Sequence, residues 1–552
     1  KLLAAIAVLA VAFAVFAAIP AVADDSDATE PATVYVNHAY TGDKTDGNKE
    51  TPYKTLKDAA SNAAASSTII LMDDVPDTDK NNDGDFKNGP TIKFDKAFTI
   101  TSLDKENPVT VATEFCFSGV KTGTITVEYV NFNVSNVSGA IHMSNGNNGV
   151  KVIIDHCTIA CPSGNIQNGG VVAVQIQAPA EVTVEYCTFT YNRNDSASHP
   201  TYALNFDSAT NVTIDHNTFT GYPRVVRANV SDFTFTDNEI KNMINNTTGK
   251  NSYVMQLADT ASDVKVKASG NTLDDASKAV DYAVFHENTN TTYTSLSVDG
   301  DMRLISSGQK KASLTIAQGG SFTVAGGKTL TADAGATITN NGSLFNNGTI
   351  TMAKDGAYTG SGTFYAGAGS TASMPKSTVT KAIGSGTING ETPKTQEADN
   401  VTDEATLRNL LTSKIQKITL GKDITLTDDI VIPENVTLDG NKWSLILGDK
   451  KVTVNGTITN IGLKNGQAWN VGVANGNNVS GSFTVTATDN SATVVAEKIG
   501  GKLTVMNATI SGKITSDLEI VKKKDSNGNV QNMNLVFGNT TVNSGVTLTL
   551  PG

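Results

Sequence analysis

The chain has 552 residues, and its 42 Lys and Arg against 54 Asp and Glu give a formal net charge of −12 at neutral pH. Only 17% of the residues are charged, whereas about 25% is usual in globular proteins. Nucleic acids and anionic membranes are bound by clustered Lys and Arg, so we expect this chain to bind neither. Its apolar residues are spread evenly, which argues against disorder. Its length exceeds one compact domain unless the fold grows by repetition.

The N-terminus has the pattern of a secretory signal. Lys1 precedes an apolar run from Leu2 to Ile19, and small residues around Ala21 and Ala23 precede a polar segment. This pattern predicts a cleaved signal peptide over residues 1–23 and a secreted or cell-surface protein without a transmembrane segment after cleavage. An uncleaved anchor is the alternative, because the run approaches the length of a membrane span. The missing initiator Met and the end at Gly552 inside a strand-like pattern suggest an incomplete chain, which leaves the anchoring mode open.

An acidic segment further along has calcium-ligand spacing. Oxygen-bearing side chains alternate along it, and a Gly stands at its sixth position, as in the first half of an EF-hand-type loop. Pro90, at the twelfth position, supplies no carboxylate. The spacing predicts a weak structural Ca²⁺ site, with a plain polar loop and an Asp-Gly turn as the alternative. The proposed ligands are Asp79, Asn81, Asp83 and Asp85.

A repeated pattern between residues 127 and 275 predicts the fold. Each copy reads apolar, polar, polar, small or Asn, polar, large apolar. Successive large apolar positions are 27, 30, 30, 21 and 33 residues apart. Units of this size cannot bury their own apolar face and are typical of a stacked solenoid, and the alternation before each bend indicates strands. The large apolar residues are Phe132, Ile159, Phe189, Phe219, Ile240 and Leu273, and the first four are predicted to form an inner ladder.

A second column is predicted beside the bend of each repeat. Asn suits this place because its amide can bond along the column and to the turn backbone. The column members are Val130, Cys157, Cys187, Asn217, Asn238 and Asn271. The cysteines are predicted to be buried small apolar residues, with one disulfide as the alternative, and no second Cys/His pair stands at zinc-finger spacing. The four cysteines are Cys116, Cys157, Cys161 and Cys187.

A segment before the repeats carries a family resemblance. It contains Tyr35-Val36-Asn37, Gly42-Asp43, Asp46-Gly47 and Thr51-Pro52-Tyr53-Lys54-Thr55-Leu56. It resembles the N-terminal cap of right-handed parallel β-helix proteins, the pectate-lyase-like superfamily, and with the repeats the resemblance covers residues 33–300. The resemblance implies an entry strand, a capping helix over 55–65 and a first rung strand over 68–71. The fold hosts lyases, hydrolases, tail spikes and adhesins, so it does not specify an activity.

The predicted fold class is all-β: a right-handed parallel β-helix (solenoid) with a short N-terminal capping helix, followed by a second β-solenoid segment. The first β-helix is predicted over 24–300. Frequent Asn-Gly and Gly-Gly pairs predict short strands with tight turns over 301–372. Residues 373–402, rich in Ser, Thr, Lys and Gly, are interpreted as a linker. A helix over 403–411 and the strand patterns after it predict a second β-helix-like domain over 403–552.

Polar residues on the outer face of the first solenoid form the candidate site. The outward residue before the bend is acidic in four successive rungs, at Glu128, Asp155, Glu185 and Asp215. Beside these lie His156, Tyr186 and His216, and one rung further Arg224 and Arg227. Paired carboxylates serve glycoside hydrolysis, and an acidic column can hold Ca²⁺. The resemblance adds that lyases of this fold use Ca²⁺ to neutralise a uronate and an Arg as base. Solvated surface is the remaining interpretation.

The leading functional hypothesis is an extracellular, adhesin-like or structural surface protein that binds glycans or cell surfaces without catalysis. Its glycan contacts would include Glu128, Tyr186 and Arg224. The alternative is a secreted polysaccharide lyase or glycoside hydrolase acting on acidic glycans in a groove. Its catalytic candidates are Asp155, Glu185, Asp215, His156, His216, Arg224 and Arg227. A self-associating coat protein is a third hypothesis, and Asn-x-Ser/Thr sites such as Asn211 would carry glycans in a host that attaches them.

Overall fold

The computed structural model of the chain is all-β apart from two short α-helices and one 3₁₀ turn in the part described. The described residues are 32–80, 90–133, 139–144, 146–147, 149–161, 172–192, 201–244, 252–257, 263–285, 291–306, 311–375, 379–441, 443, 445–446, 450–454, 456–463, 468–472, 483–487, 492–505, 507–522, 528–530 and 534–550. The predicted signal peptide lies outside these residues.

The helices begin where the sequence predicts. Helix α1 spans Leu56–Asn62, helix α2 spans Glu404–Thr412, and the 3₁₀ turn spans Ser277–Ala279. Each α-helix starts after a capping side chain that accepts a hydrogen bond from the first turn, Thr55 for α1 and Asp403 for α2. Helix α1 ends three residues earlier than expected, because Ala63 turns to an extended conformation. Neither α-helix is long and apolar enough to cross a membrane.

The first eleven strands run from the cap into the repeats. They are β1 Thr33–Val36, β2 Thr68–Leu71, β3 Thr91–Phe94, β4 Thr99–Ser102, β5 Thr110–Val111, β6 Glu114–Phe117, β7 Gly123–Glu128, β8 Asn131–Asn133, β9 Ile141–Met143, β10 Val150–Asp155 and β11 Thr158–Cys161.

The next fifteen strands complete the repeats. They are β12 Val172–Ile176, β13 Ala180–Glu185, β14 Thr188–Tyr191, β15 Tyr202–Asp207, β16 Asn211–Asp215, β17 Thr218–Thr220, β18 Arg224–Asn229, β19 Asp232–Thr236, β20 Glu239–Lys241, β21 Tyr253–Leu257, β22 Val264–Ser269, β23 Thr272–Leu273, β24 Asp281–Phe285, β25 Thr291–Val298 and β26 Met302–Leu304.

Short strands follow in the Gly- and Asn-rich part. They are β27 Ser313–Val324, β28 Thr329–Ala332, β29 Thr337–Asn340, β30 Ser343–Asn346, β31 Thr349–Met352, β32 Ala357–Thr359, β33 Thr363–Ala366, β34 Thr371–Ser373, β35 Ala382–Gly384, β36 Thr387–Ile388 and β37 Glu397–Val401.

The remaining strands follow α2. They are β38 Lys417–Leu420, β39 Ile424–Thr425, β40 Ile430–Ile432, β41 Thr437–Asp439, β42 Leu445–Ile446, β43 Lys451–Val454, β44 Thr457–Leu463, β45 Ala468–Gly472, β46 Phe483–Ala487, β47 Ala492–Val505, β48 Asn507–Lys522, β49 Asn534–Val542 and β50 Leu548–Thr549.

Three long parallel sheets wind around one core, as a β-helix requires. Sheet A, with 16 strands, runs through β7, β10, β13 and β16; sheet B, with 7, through β8, β11, β14 and β17; sheet C, with 13, through β9, β12, β15 and β18. The chain visits A, B and C in turn, so one strand of each makes a rung. Neighbouring rungs are in register, with Val150–Asp155 opposite Ala180–Glu185. The predicted parallel β-helix is therefore confirmed.

The predicted inner ladder lies in sheet B. Phe132, Ile159, Phe189 and Phe219 are opposite one another in successive strands and nearly inaccessible to solvent. The rings of Phe189 and Phe219 are stacked with centroids 4.9 Å apart. Burying each such side chain contributes about 1.5–3 kcal/mol, which is how a repeat too small to fold alone becomes stable in a stack.

The second column is the predicted asparagine column. Asn217 Oδ1 accepts a hydrogen bond from the backbone N–H of Cys187, and Asn238 Oδ1 accepts one from that of Asn217, both at 2.9 Å. Asn271 continues the series beneath Asn238. In the earlier rungs Cys157 and Cys187 take this place as buried thiols, the packing role predicted for them. The column satisfies N–H groups that the bend would otherwise leave buried and unpaired.

Residues 313–388 form narrower rungs in the same sheets. Thr329, Thr349 and Thr371 are opposite one another although only 20 and 22 residues separate them. Part of the segment predicted as a linker belongs here: β35 pairs with β33, and β36 pairs with β34. Its small Ser, Thr and Gly residues, which suggested a linker, fit the tight corners of these rungs equally well.

The strands after α2 pack onto the first solenoid. Phe345 points outward from sheet A but is fully buried, because it lies in the hydrophobic core of the later strands together with Ile383. The backbone N–H of Ala368 donates to Ser413 O at 3.1 Å, beside the end of α2. A 12-stranded parallel sheet, running from β37 through β38, β41 and β44, continues from this junction.

Candidate functional site

The four predicted acidic residues form a column along one corner of the solenoid. Glu128, Asp155, Glu185 and Asp215 end β7, β10, β13 and β16, and each lies opposite the next. Parallel strands are about 4.8 Å apart, so the carboxylates repeat at that interval along the rod. Asp155 and Asp215 keep about a fifth to a quarter of their side-chain surface exposed (21% and 26%). In the next rung Thr236 takes the acidic position.

A column of stacked rings lies directly beside the carboxylates. We call Tyr129, His156, Tyr186 and His216 the ring column. Successive ring centroids are 4.8, 5.0 and 5.2 Å apart, with planes inclined by 14°, 24° and 28°. Sequence reasoning selected the last three residues and missed Tyr129. The signal was present, since Tyr129 also follows the acidic residue of its repeat.

The backbone of the bend holds the rings outside the solenoid. All four residues have positive φ, between 48° and 53°, a conformation that costs a bulky residue about 1 kcal/mol or more. Each backbone N–H donates to the carbonyl of the acidic-position residue in the next rung, as His156 N does to Glu185 O at 3.2 Å. Stacking offsets this cost by about 0.5–1.5 kcal/mol for each pair of rings. The column is therefore a rigid feature of the corner.

Charges along the corner are locally paired. The carboxylate of Asp155 is hydrogen-bonded to His156 Nδ1 at 2.5 Å, and that of Asp215 to His216 Nδ1 at 2.7 Å. The hydrogen bond and charge of Asp215 raise the pKa of His216. Burial opposes ionisation of Asp215, but hydrogen bonds from Thr236 and His216 lower its pKa overall.

The first and third rungs differ from these pairs. Lys105 Nζ lies 2.8 Å from Glu128 and 4.5 Å from the ring centroid of Tyr129, so one cation already sits against carboxylate and ring. Glu185 has the uncharged Tyr186 as its neighbour in the bend. Burial, together with the charges of Asp155 and Asp215, raises the pKa of Glu185.

Stacking limits how the ring column can contact a ligand. His156 and Tyr186 each have a ring on both faces, so they present their edges to solvent. Tyr186 is nevertheless 49% exposed. The corner therefore offers a strip of phenol, imidazole and carboxylate groups for hydrogen bonds along the rod, rather than open faces for stacking.

The two predicted arginines do not join this site. Arg224 and Arg227 belong to β18 of sheet C, whereas the acidic column is at the corner between sheets A and B. Arg224 is 8% exposed and lies over the rings of Tyr202 and Tyr253, 5.5 and 5.3 Å from their centroids. Arg227 pairs with the carboxylate of Asp207 at 2.5 Å. The sequence analysis placed both arginines near the acidic column because they follow Asp215 closely along the chain. The chain, however, passes through β17 of sheet B before it reaches sheet C.

Asp79, the first predicted calcium ligand, holds the N-terminal cap together. Its carboxylate accepts hydrogen bonds from the backbone N–H groups of Leu56 and Lys57 at the start of α1. It also lies 2.9 Å from His38 Nε2, and it is almost fully buried. The other predicted ligands, Asn81, Asp83 and Asp85, lie outside the described residues. Asp79 is thus already engaged in structural contacts.

A shallow groove lies at the opposite ends of the same strands. Gly123, Thr124, Lys151, Glu181 and Thr210 are among its lining residues, and its volume is about 470 Å³. It contains none of the predicted site residues.

Comparison with known proteins adds no relative. No protein-family model matches the chain, and neither a curated protein nor a solved structure matches it. The functional argument therefore depends on the geometry of the corner.

Proposed function

We propose that this chain is an extracellular, adhesin-like surface protein of the pectate-lyase-like β-helix type, and that it binds glycans without cleaving them. The observation that supports this is the repetition of the corner: carboxylates and rings recur rung by rung in register. A regular strip suits a repeating polymer, which can form the same contacts at successive units. A catalytic site instead needs unlike groups gathered around one reacting bond.

The charge of the strip indicates the class of glycan. The four carboxylates outnumber the three basic side chains paired with them, Lys105, His156 and His216, so the strip is acidic and repels polyuronates. The arginines that would attract such chains are engaged on sheet C. Neutral or amine-bearing glycans avoid this repulsion. This surface already binds one ammonium group, because Lys105 contacts both Glu128 and the ring of Tyr129. We therefore propose neutral or amino-sugar polymers as ligands.

Binding to immobilised glycans tests the proposal. The chain should retain neutral or amine-bearing polymers more strongly than polyuronates, and Tyr186→Ala should weaken retention about three- to tenfold. Trp443→Ala is the matched control, because Trp443 is a similarly exposed aromatic residue (41%) outside the ring column. Equal loss in both variants, or retention of none of these polymers, contradicts the proposal.

The same incubations test the enzymatic alternative. Polyuronates and neutral glycans, with and without Ca²⁺, are examined for unsaturated or shortened products. Products that disappear in Glu185→Gln would establish a lyase or hydrolase and overturn the non-catalytic proposal.

A further inference from the structure

The last histidine of the ring column has surroundings that the first lacks. Asp215, His216 and Asp237 belong to two successive bends, and their ligand atoms lie within 4.8 Å of one another. Asp237 follows Thr236 as His216 follows Asp215, and it has the same positive φ, 52° against 53°. It therefore occupies the next place of the ring column with a carboxylate instead of a ring.

We propose that Asp215, His216 and Asp237 bind a divalent transition-metal ion of the Zn²⁺ type. One imidazole with two carboxylates is a ligand set that Zn²⁺ accepts, whereas Ca²⁺ takes oxygen ligands. Ligand atoms of a tetrahedral zinc ion stand about 3.3 Å apart, so small side-chain rotations bring this cluster to the required geometry. Three protein ligands leave a position open to water or to an external ligand. This proposal does not depend on glycan binding.

The backbone beneath the cluster is already in place. His216 N donates to Thr236 O at 3.2 Å, and Asp237 N to Ser269 O at 3.1 Å. The asparagine column holds the same bends from inside, through Asn217 and Asn238. All three ligands therefore come from two bends that need no refolding, which lowers the entropic cost of binding.

The following rung makes room for the third ligand. Asp237 Oδ1 lies 2.0 Å from the position that a Cβ at Gly270 would occupy. Any side chain there would displace the carboxylate. Gly270 thus leaves room for the Asp237 carboxylate at the end of the column, where a ligand oxygen lies within 4.8 Å of the His216 imidazole.

The chain contains a matched comparison at His156. His156 has the same backbone conformation and the same hydrogen bond to the preceding Asp, but Tyr186 takes the place that Asp237 has next to His216. Glu185 stands opposite Asp155, but among the described residues no third ligand atom lies within 4.8 Å of both Asp155 and His156. Zn²⁺ should distinguish the two histidines although both are exposed on one corner.

Calorimetric titration of the full chain with Zn²⁺ alone tests the proposal. We expect one equivalent to bind, with affinity reduced about tenfold or more in His216→Ala and in Asp237→Asn, and changed less than about twofold in His156→Ala. Tyr186→Asp should create a second equivalent by supplying a carboxylate next to His156. Thermal unfolding without metal controls for damage to the fold, because the histidine and tyrosine variants lose stacked contacts of the ring column.

Three results would overturn the proposal. They are no Zn²⁺ binding (with or without Ca²⁺ binding at this corner), equal losses in His216→Ala and His156→Ala, and unchanged affinity in Asp237→Asn. None of these measurements uses a glycan, so failure here is distinguishable from failure of the glycan-binding proposal.

Discussion

Residues 123–273 and residues 313–388 build rungs in the same sheets but turn their corners differently. The first region has a third sheet, and in four of its rungs the bend after sheet A carries an outward ring followed by an inward Val, Cys or Asn. The second turns within 20–22 residues, with Asn-Gly corners in which Asn346 Oδ1 accepts from Gly348 N at 3.2 Å. A corner occupied by glycine presents no side chain. The comparison explains why the candidate sites lie in the wide rungs.

The core of the wide rungs should respond most strongly to mutation. Phe189→Ala removes a buried ring from the inner ladder and should cost about 3–5 kcal/mol of unfolding free energy. Denaturant unfolding followed by fluorescence and circular dichroism measures this. Thr183→Ala, on the outer face of β13, is the control and should change stability by less than about 0.5 kcal/mol. A loss below 1 kcal/mol in Phe189→Ala would contradict a tightly packed ladder.

The narrow corners should be intolerant of a methyl group. At Gly348 a Cβ would lie 2.1 Å from Lys328 O of the preceding rung, so Gly348→Ala must shift the backbone and should cost about 1–3 kcal/mol. At Gly326 the nearest atom would be 3.7 Å away, so Gly326→Ala should be nearly neutral. Thermal unfolding of the two variants checks the difference. Equal stabilities would show that the narrow corners are not tightly constrained.

The two capping helices should differ in their pH dependence. Burial tends to lower the pKa of His38, but hydrogen bonds to Asp79 and Asp73 raise it overall. The pKa of His38 is higher in the folded chain than in the unfolded chain, so protonated His38 stabilises the fold fully below about pH 6.5, the unfolded pKa. This stabilisation is lost as the pH rises through the folded pKa. His38→Gln should therefore destabilise the cap by about 1.5–3 kcal/mol at pH 5.5 and by less at pH 9.

The control is the cap of the later strands. Arg408 there bonds to Glu404, and an arginine does not titrate in this range. Arg408→Gln should therefore have the same effect at pH 5.5 and pH 9. Limited proteolysis or hydrogen exchange of the two helices measures both effects. A pH-independent effect of His38→Gln would contradict a charged His38 between Asp73 and Asp79.

The smallest expected effect concerns the ring column. Tyr186→Ala removes two stacked contacts but no buried core, so it should cost about 1–2 kcal/mol. Removing an exposed aromatic ring should cost most stability in the rungs of residues 123–273, where the rings stack. Trp443→Ala should cost none, because Trp443 is exposed outside the column. Chemical denaturation of both variants is sufficient. A neutral Tyr186→Ala would mean that stacking only offsets the strain of the positive φ.

Much of the fold was predictable because a solenoid repeats its local rules. Period-two alternation predicted strands such as β16, and equal positions in neighbouring copies predicted the register of Phe189 with Phe219. Thr55 and Asp403, where the two predicted helices begin, cap those helices in the structure. The linker prediction was less accurate, because Gly and Ser occur both in linkers and in tight corners.

The candidate site was only partly predictable. The acidic column followed from repeat position, since register places equal positions side by side. The Arg224 and Arg227 prediction failed because closeness along the chain was taken for closeness in space. The sequence analysis did not single out Asp237, the proposed third ligand beside His216, because it occurs at a ring position and resembles the ring residues only in backbone conformation.

The sequence by itself determined the strands, the rung register, the capping helices and the inner and outer faces, because each depends on residues a few positions or one repeat apart. Only the tertiary structure decided which corner each outer residue occupies. That depends on where the chain passes from sheet A to B to C, and loop lengths between sheets vary without changing the repeat. For the same reason the four rings of the bends became one stacked column, and Asp237 came to lie beside His216.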